Sequence, residues 1–189
     1  MITFIAPAFN EENDPYVFIG SMLCQQNPNW KAIIYHNGPY TRLRYFVDSF
    51  GDKRLIYMQS STNTGAWGCY NRIDAINNVV ETEFVIQTSI QDYWLPNAVA
   101  CILEEAKEHD FIYWNSINHL AGYENILDSE PKKDLIDWGN FAIKTSIARE
   151  VGIRQPEEFT ADGLFVEDCM KSGLVLNPVK IKKVLTIHN

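Results

Sequence analysis

An α/β fold, with a mainly parallel central sheet covered by helices on both faces, is predicted by three features of the chain. Short β-branched and aromatic runs alternate with helix-period stretches from Ile2 to Asn115. Turn residues such as Asn37-Gly38-Pro39 separate them. The strand runs are almost wholly apolar, as strands buried on both faces must be.

Taken in order, Ile2 to Ala6 reads as a strand, and Asp14 to Gln26 as a helix with Ile19, Met22, Leu23 and Gln26 on one side. Lys31 to His36 is a second strand, Thr41 to Phe50 a helix, and Arg54 to Gln59 a third strand. Ala66 to Val80 is helical, with Ala66, Cys69, Ile73, Ile76 and Val80 in register. Phe84 to Thr88 forms the fourth strand. Pro96 opens a helix to His109 whose apolar face uses Val99, Ile102, Leu103 and Ala106. Asp110 to Asn115 is the fifth strand. Beyond Ser116 the alternation fails, and residues 119 to 137 read as a long loop of the kind used for binding or as a lid. Asn140 to Lys144 is a short strand, Thr145 to Val151 and Asp162 to Ser172 are helices, and Val179 to His188 is a closing strand.

At 189 residues with 46% hydrophobic content, one domain can bury a core without disulfides. A net charge of -8 and a pI near 5.0 argue against a nucleic-acid-binding surface, which would need a basic stripe. Cys24, Cys69, Cys101 and Cys169 form no CxxC pair and read as reduced thiols. No basic segment precedes the first apolar run and no run reaches membrane-spanning length, so a cytoplasmic protein without a transmembrane segment is expected. The oligomeric state is not legible.

Polar residues collect where the strands end: Pro7 to Glu12, His36 to Gly38, Asn63 to Gly65, and Ser89 to Asp92. One polar loop is ordinary. Four in succession at one edge of a parallel sheet mark a ligand crevice. GxGxxG and the P-loop are absent, which argues against dinucleotide oxidoreductases and P-loop enzymes.

The run ITFIAPAFNEE, followed by Ser21-Met22-Leu23-Cys24-Gln25-Gln26 and NWKAIIYHNGP, resembles the opening of family 2 glycosyltransferases of the GT-A fold. Asn63-Thr64-Gly65 with Asn71-Arg72 is similar to that family's N-x-G and downstream A-R-N. FVIQTSIQDYWLPNAV falls where the family has its D-x-D-D and a following proline, and the resemblance extends from Ile2 to His188. It implies a GT-A domain over residues 1–189, with residues 1–92 as the nucleotide-sugar-binding half and 93–189 as the acceptor and catalytic half. The implied activity is inverting transfer of a hexosyl group from a nucleotide-diphosphate sugar, with UDP as the expected nucleotide, to a hydroxyl of a glycan or other acceptor.

By this resemblance the donor meets Pro7, Ala8, Phe9, Asn10, Glu11, Asn37, Gly65, Asn71, Arg72, Ser89 and Gln91. The family's acidic D-x-D falls on Ser89-Ile90-Gln91, leaving Asp92 as the only carboxylate of that loop. With His188, where relatives often carry a C-terminal histidine, Asp92 is the expected site of a divalent cation. Imidazole favours Mn²⁺ over Mg²⁺. The family's helix-opening acid, counted back from Gly173, falls on Asp162 rather than on Asp168 of the literal Glu167-Asp168 pair, so Asp162 is the expected general base. Trp94, Trp138 and Gly139 are expected beside the acceptor, with Trp114 in the core. The altered D-x-D leaves a second reading open, a catalytically silent nucleotide-sugar-binding module. A nucleotidyltransferase would need a glycine-rich basic loop near the N-terminus, which is missing.

Overall fold

Side chains alternate across strand β1 (Ile2–Ala8), and the alternation splits the core in two. Ile2, Phe4 and Ala6 join one apolar cluster, while Ile5 joins another. The computed structural model describes residues 1–9, 15–39, 42–118 and 123–188. Helices α1 (Tyr16–Leu23), α2 (Arg42–Ser49) and α4 (Ala98–Glu105) supply Phe18, Ile19, Leu43, Val47, Val99 and Ile102 to the first cluster. On the other face, α3 (Cys69–Asn78), α5 (Thr145–Val151) and α6 (Ala161–Lys171) supply Ile76, Ile147, Phe165 and Val166. The sheet is thus covered on both faces.

Among the described residues, strands β2 (Trp30–His36), β3 (Leu55–Gln59), β4 (Phe84–Gln87), β5 (Tyr93–Trp94), β6 (Phe111–Asn118), β7 (Ile126–Leu127), β8 (Phe141–Lys144) and β9 (Pro178–His188) complete a nine-stranded sheet. Its order is β3-β2-β1-β4-β8-β6-β9-β5, with β7 on β6. The pairings β3-β2, β2-β1, β1-β4 and β6-β9 are parallel. Strand β8 is inserted antiparallel between β4 and β6. The α/β expectation therefore holds. The sequence reading lacked only the two-residue strands β5 and β7, which are too short to show a periodicity.

Buried polar groups join the layers. Gln25 donates through Nε2 to the carbonyl of Leu95 (2.9 Å) and accepts from the Val99 amide (3.0 Å). Ser21 Oγ accepts from the Trp94 amide (3.1 Å) and donates to the Phe18 carbonyl (2.8 Å). The Ser21 and Gln25 of the helix motif thus hold α1 against β5 and the entry of α4. Gln25→Met keeps the volume but leaves the Val99 N–H and the Leu95 carbonyl without that partner. It should lower unfolding stability by about 2–4 kcal/mol in urea titration, with exposed Gln26→Met near neutral as the control.

Candidate active site

The C-terminal ends of β1, β2 and β4 open into a cavity of about 730 Å³, a size typical of small-ligand sites. Its walls bring together Pro7, Ala8, Phe9, Asn37, Gly65, Arg72, Ser89, Trp138, Asp162 and His188. Asn10 and Glu11 lie outside the described residues. Asn71 and Gln91 do not line the cavity. Asn71 is buried, and the Gln91 amide turns back onto Ser89 Oγ at 3.2 Å.

Asn37 is committed to the protein. Its Oδ1 accepts from the Thr64 amide and hydroxyl (2.9 Å each), and its Nδ2 donates to Asn63 Oδ1 (3.2 Å). It therefore holds the Asn63–Gly65 turn against the end of β2. The 3₁₀ turn Ala66–Gly68 that follows is left-handed throughout, with φ of 51° at Ala66, 47° at Trp67 and 77° at Gly68. A side chain at Gly68 would also meet Pro7 Cβ at 2.5 Å, so only glycine fits there. The turn aims the Trp67 carbonyl at Arg72 Nη1 (3.0 Å), and Nη2 donates to the Thr88 carbonyl (2.8 Å). The guanidinium lies 5.2 Å from the centre of the Trp138 ring. Burial pulls its pKa below the ordinary arginine value.

Asp92 and His188 meet, but not as two open ligands. Asp92 is fully buried, and its Oδ2 accepts from Thr88 Oγ1 (2.5 Å) and the Ser89 amide (2.8 Å). Its Oδ1 pairs with His188 Nδ1 at 2.7 Å. Asp92 is therefore not a cavity-facing ligand but the counter-ion that orients the imidazole. His188 Nε2 is left 3.7 Å from Asp137 Oδ2. The hydrogen bond that its Nδ1 donates to Asp92 lifts His188 to about 9.

Two acceptor-side expectations are corrected by the same cluster. Trp94 is fully buried, edge to face with Phe4 and Trp114, and its Nε1 donates to Thr88 Oγ1 (3.2 Å). It supports Asp92 and presents no platform. Gly139 is also buried, and a Cβ there would stand 3.0 Å from Asp92 Oδ2, so its small size makes room for the carboxylate. Trp114 is core, as read from its strand position.

Asp162 opens α6 and faces the cavity, its Oδ1 accepting from the Gly163 amide (2.7 Å). Burial, then the nearby Asp137 charge, pushes its carboxyl up to about 7. Glu167 instead pairs with Lys171 at 2.7 Å and accepts from the Lys133 amide, and neither Glu167 nor Asp168 lines the cavity. Sequence reasoning passed over Asp137, Asp134, Trp67 and Phe159, which also line it. Asp137 was hidden in a loop without periodicity. Trp67 carried a usable signal, an aromatic flanked by Gly65 and Gly68.

This geometry has relatives. The chain is 28% identical over 120 residues to the Escherichia coli (strain K12) putative colanic acid biosynthesis glycosyl transferase WcaA, covering 61% of this chain and 42% of that protein. The structure superposes on Staphylococcus aureus TarS 1–349 with a TM-score of 0.80 at 14% identity, covering all of this chain and 60% of that one. The fold is the GT-A fold. A TarS complex with UDP-GlcNAc superposes with a TM-score of 0.79 at 16% identity, over 98% of this chain and 57% of that one. The Pyrobaculum calidifontis mannosyltransferase PcManGT, in complex with GDP-Man and Mn²⁺, gives 0.73 at 14% identity, over 99% and 56%. The chain thus spans about two-fifths of the curated relative and three-fifths of TarS 1–349. No protein-family model matches the chain. Among the described residues, no helix is long and apolar enough to cross a membrane.

The two raised groups make stability depend on pH in the same direction. Asp162 keeps its proton in the fold up to about 7 but loses it near 3.8 when unfolded, so the folded state weakens as pH rises between those values. The His188 contribution is complete below 6.5 and lost as pH rises through about 9. Wild-type Tm in EDTA should therefore fall from pH 6 to pH 9. Asp162→Asn should raise Tm at pH 8, with the gain shrinking toward zero at pH 4, as differential scanning fluorimetry will show.

Proposed function

We propose that this chain is a glycosyltransferase that moves a sugar from a nucleotide-diphosphate sugar to an acceptor hydroxyl with inversion at the anomeric carbon. The observation that carries the reading is a carboxyl of raised pKa, Asp162, facing one cavity with two cations, Arg72 and His188. The curated glycosyl transferase relative and the UDP-GlcNAc complex of TarS support it and favour UDP as the nucleotide. Residues 1–92 serve the donor and residues 93–189 the acceptor. The free thiols of Cys24, Cys69, Cys101 and Cys169 suit a cytoplasmic setting.

The acceptor oxygen attacks the anomeric carbon as its proton passes to Asp162. The bond from that carbon to the diphosphate oxygen breaks on the opposite side, and the electron pair leaves with the nucleotide. A carboxyl whose pKa is near neutral is better matched to this proton transfer than an ordinary aspartate. Arg72, fastened by the Trp67 and Thr88 carbonyls, carries positive charge to the leaving group without having to reorganise. Pro7, Ala8, Phe9 and Ser89 form the wall against which nucleoside and phosphates lie.

A divalent cation, as in the PcManGT complex, fits this chain at a different pair from the one expected. Both Asp92 oxygens are engaged, and His188 Nε2 and Asp137 Oδ2 form an ion pair at 3.7 Å between two residues that line the cavity. His188 and Asp137 would hold the cation only after the imidazole gives up its Nε2 proton, so binding would compete with the proton that Asp92 stabilises on His188, and the softer imidazole would favour Mn²⁺ over Mg²⁺. When bound, such an ion neutralises charge on the departing diphosphate. Among the described residues no cluster of three His, Cys, Asp or Glu is placed to hold a metal. Affinity must then rest partly on nucleotide phosphates, since it follows ligand charge.

Two measurements test the reading. Asp162→Asn should lower transfer from UDP-GlcNAc about a hundredfold or more, with UDP affinity nearly unchanged and Asp168→Asn mild. A damaging Asp168→Asn with a mild Asp162→Asn would overturn the assignment, and UDP binding without any turnover would favour the silent module. Calorimetry of Mn²⁺ into the apo protein should show little binding, and clear binding at saturating UDP after correction for the free nucleotide. Asp137→Asn should remove most of the difference in UDP affinity between Mn²⁺ and EDTA.

A further inference from the structure

The end of β4 buries a glutamine that its packing does not explain. Gln87 is fully buried, and neither its Nε2 nor its Oε1 has a hydrogen-bond partner among the described residues. Side chains alternate along β4, so Gln87 shares the face of Val85 and lies opposite Ile5 of β1. Both neighbours belong to the apolar cluster under α3, α5 and α6. A methionine would fill the same space with nothing left unpaired, whereas a buried amide without partners weakens the fold.

One cation reaches into the same layer. A Cβ on Gly68 would stand 2.5 Å from Pro7 Cβ and 3.3 Å from Arg72 Nη1, and Pro7 follows Ile5 by two residues on the same face of β1. Arg72 Nη2 donates at 2.8 Å to the carbonyl of Thr88, the residue after Gln87. Arg72 Nε is itself buried and has no partner among the described residues. An unpaired N–H of Arg72 and an unpaired carbonyl oxygen of Gln87 thus lie on one face of the sheet, at neighbouring positions of β4.

A guanidinium has five N–H bonds. The Trp67 and Thr88 carbonyls take one from Nη1 and one from Nη2. A partner for Nε would leave one N–H on each terminal nitrogen, a pair that suits two oxygens of a single phosphate. The chemistry of that partner matters. A carboxylate behind Arg72 would cancel the charge that a departing diphosphate needs, while an amide oxygen accepts the bond and leaves the charge in place.

We propose that Gln87 is a positioning residue for Arg72. When an anion occupies the cavity, the carboxamide turns so that Oε1 accepts from Nε, and Arg72 keeps its bonds to the Trp67 and Thr88 carbonyls. The guanidinium is then held by three oxygens and presents its remaining N–H bonds to the anion. This role rests on reading Arg72 as the cation that meets the donor diphosphate, and it falls to a residue that touches no substrate.

The test uses the whole chain, with calorimetry of UDP, uridine and inorganic diphosphate, Tm for folding, and ¹⁵N NMR of the arginine Nε–H groups. Gln87→Met keeps the side-chain length and removes both polar ends. Its Tm should equal or exceed that of wild type. Its Kd for UDP and for inorganic diphosphate should rise about fivefold or more, with the Kd for uridine within about twofold. In an Arg72→Met background the same change should leave UDP affinity within about twofold, because the amide acts through the guanidinium. In wild type the Nε–H signal that Arg72→Met removes should move downfield and exchange more slowly with water when UDP is added. A Gln87→Met protein that melts clearly below wild type, unchanged UDP affinity, an equal loss of uridine and UDP affinity, or an Nε–H signal indifferent to UDP would each overturn this inference. Wild type that binds neither UDP nor inorganic diphosphate would overturn the reading of Arg72 beneath it, a result on which the Gln87→Met melting temperature does not depend.

Discussion

A carboxylate buried away from water must be paired or it will not stay charged, and the site is arranged around one such group, Asp92. Thr88, the Ser89 amide and His188 satisfy its oxygens. Trp94 backs Thr88, and Gly139 leaves the space the carboxylate occupies. These groups come from three stretches of chain, residues 88–94, Gly139 and His188. Strand β9 must reach β5 for His188 to arrive, since Ile187 pairs with Tyr93 one residue from the Asp92–His188 contact. The need to satisfy one charge thus fastens the loop after β4, the last strand and the Trp138–Asn140 turn to one another.

That arrangement accounts for the loop's sparse acidity. Ser89 and Gln91 are neutral, and the one acid of that loop, Asp92, turns inward. The negative groups that face the cavity come from the second half of the chain, at Asp134, Asp137 and Asp162. The loop after β4 contributes no carboxylate to the cavity lining, and the second half of the chain contributes three. There Asp137 and burial together raise Asp162.

The fold was legible because strand and helix periods are local properties, and the runs in β1, β2, β4 and β6 are long enough to display them. That Asp162 and Arg72 meet at one cavity was legible through the order of motifs. Other site features depend on direction, which a linear pattern does not carry. Trp94 and Trp138 look alike in sequence, yet the pairing of β5 with β9 turns Trp94 into the core while Trp138 lines the cavity. Asp92 reads as a free acid until its three partners, one of them 96 residues distant, are seen. Asp137 and Phe159 lie in stretches with no period at all, so only the folded chain brings them to Asp162.

The antiparallel insertion of β8 has a consequence for how the chain reaches this state. Strand β4 finds one neighbour in β1, but its other edge waits for β8, whose residues Ala142 to Lys144 pair with Ile86 to Phe84. Until that late segment arrives, an apolar strand at the centre of the sheet has an open row of backbone donors and acceptors. Closing so long a loop is entropically slow, and an unfilled apolar edge invites pairing with another chain. The early strands can assemble with their helices well before then. Seating β8 between β4 and β6 is the step that covers the open edge of β4.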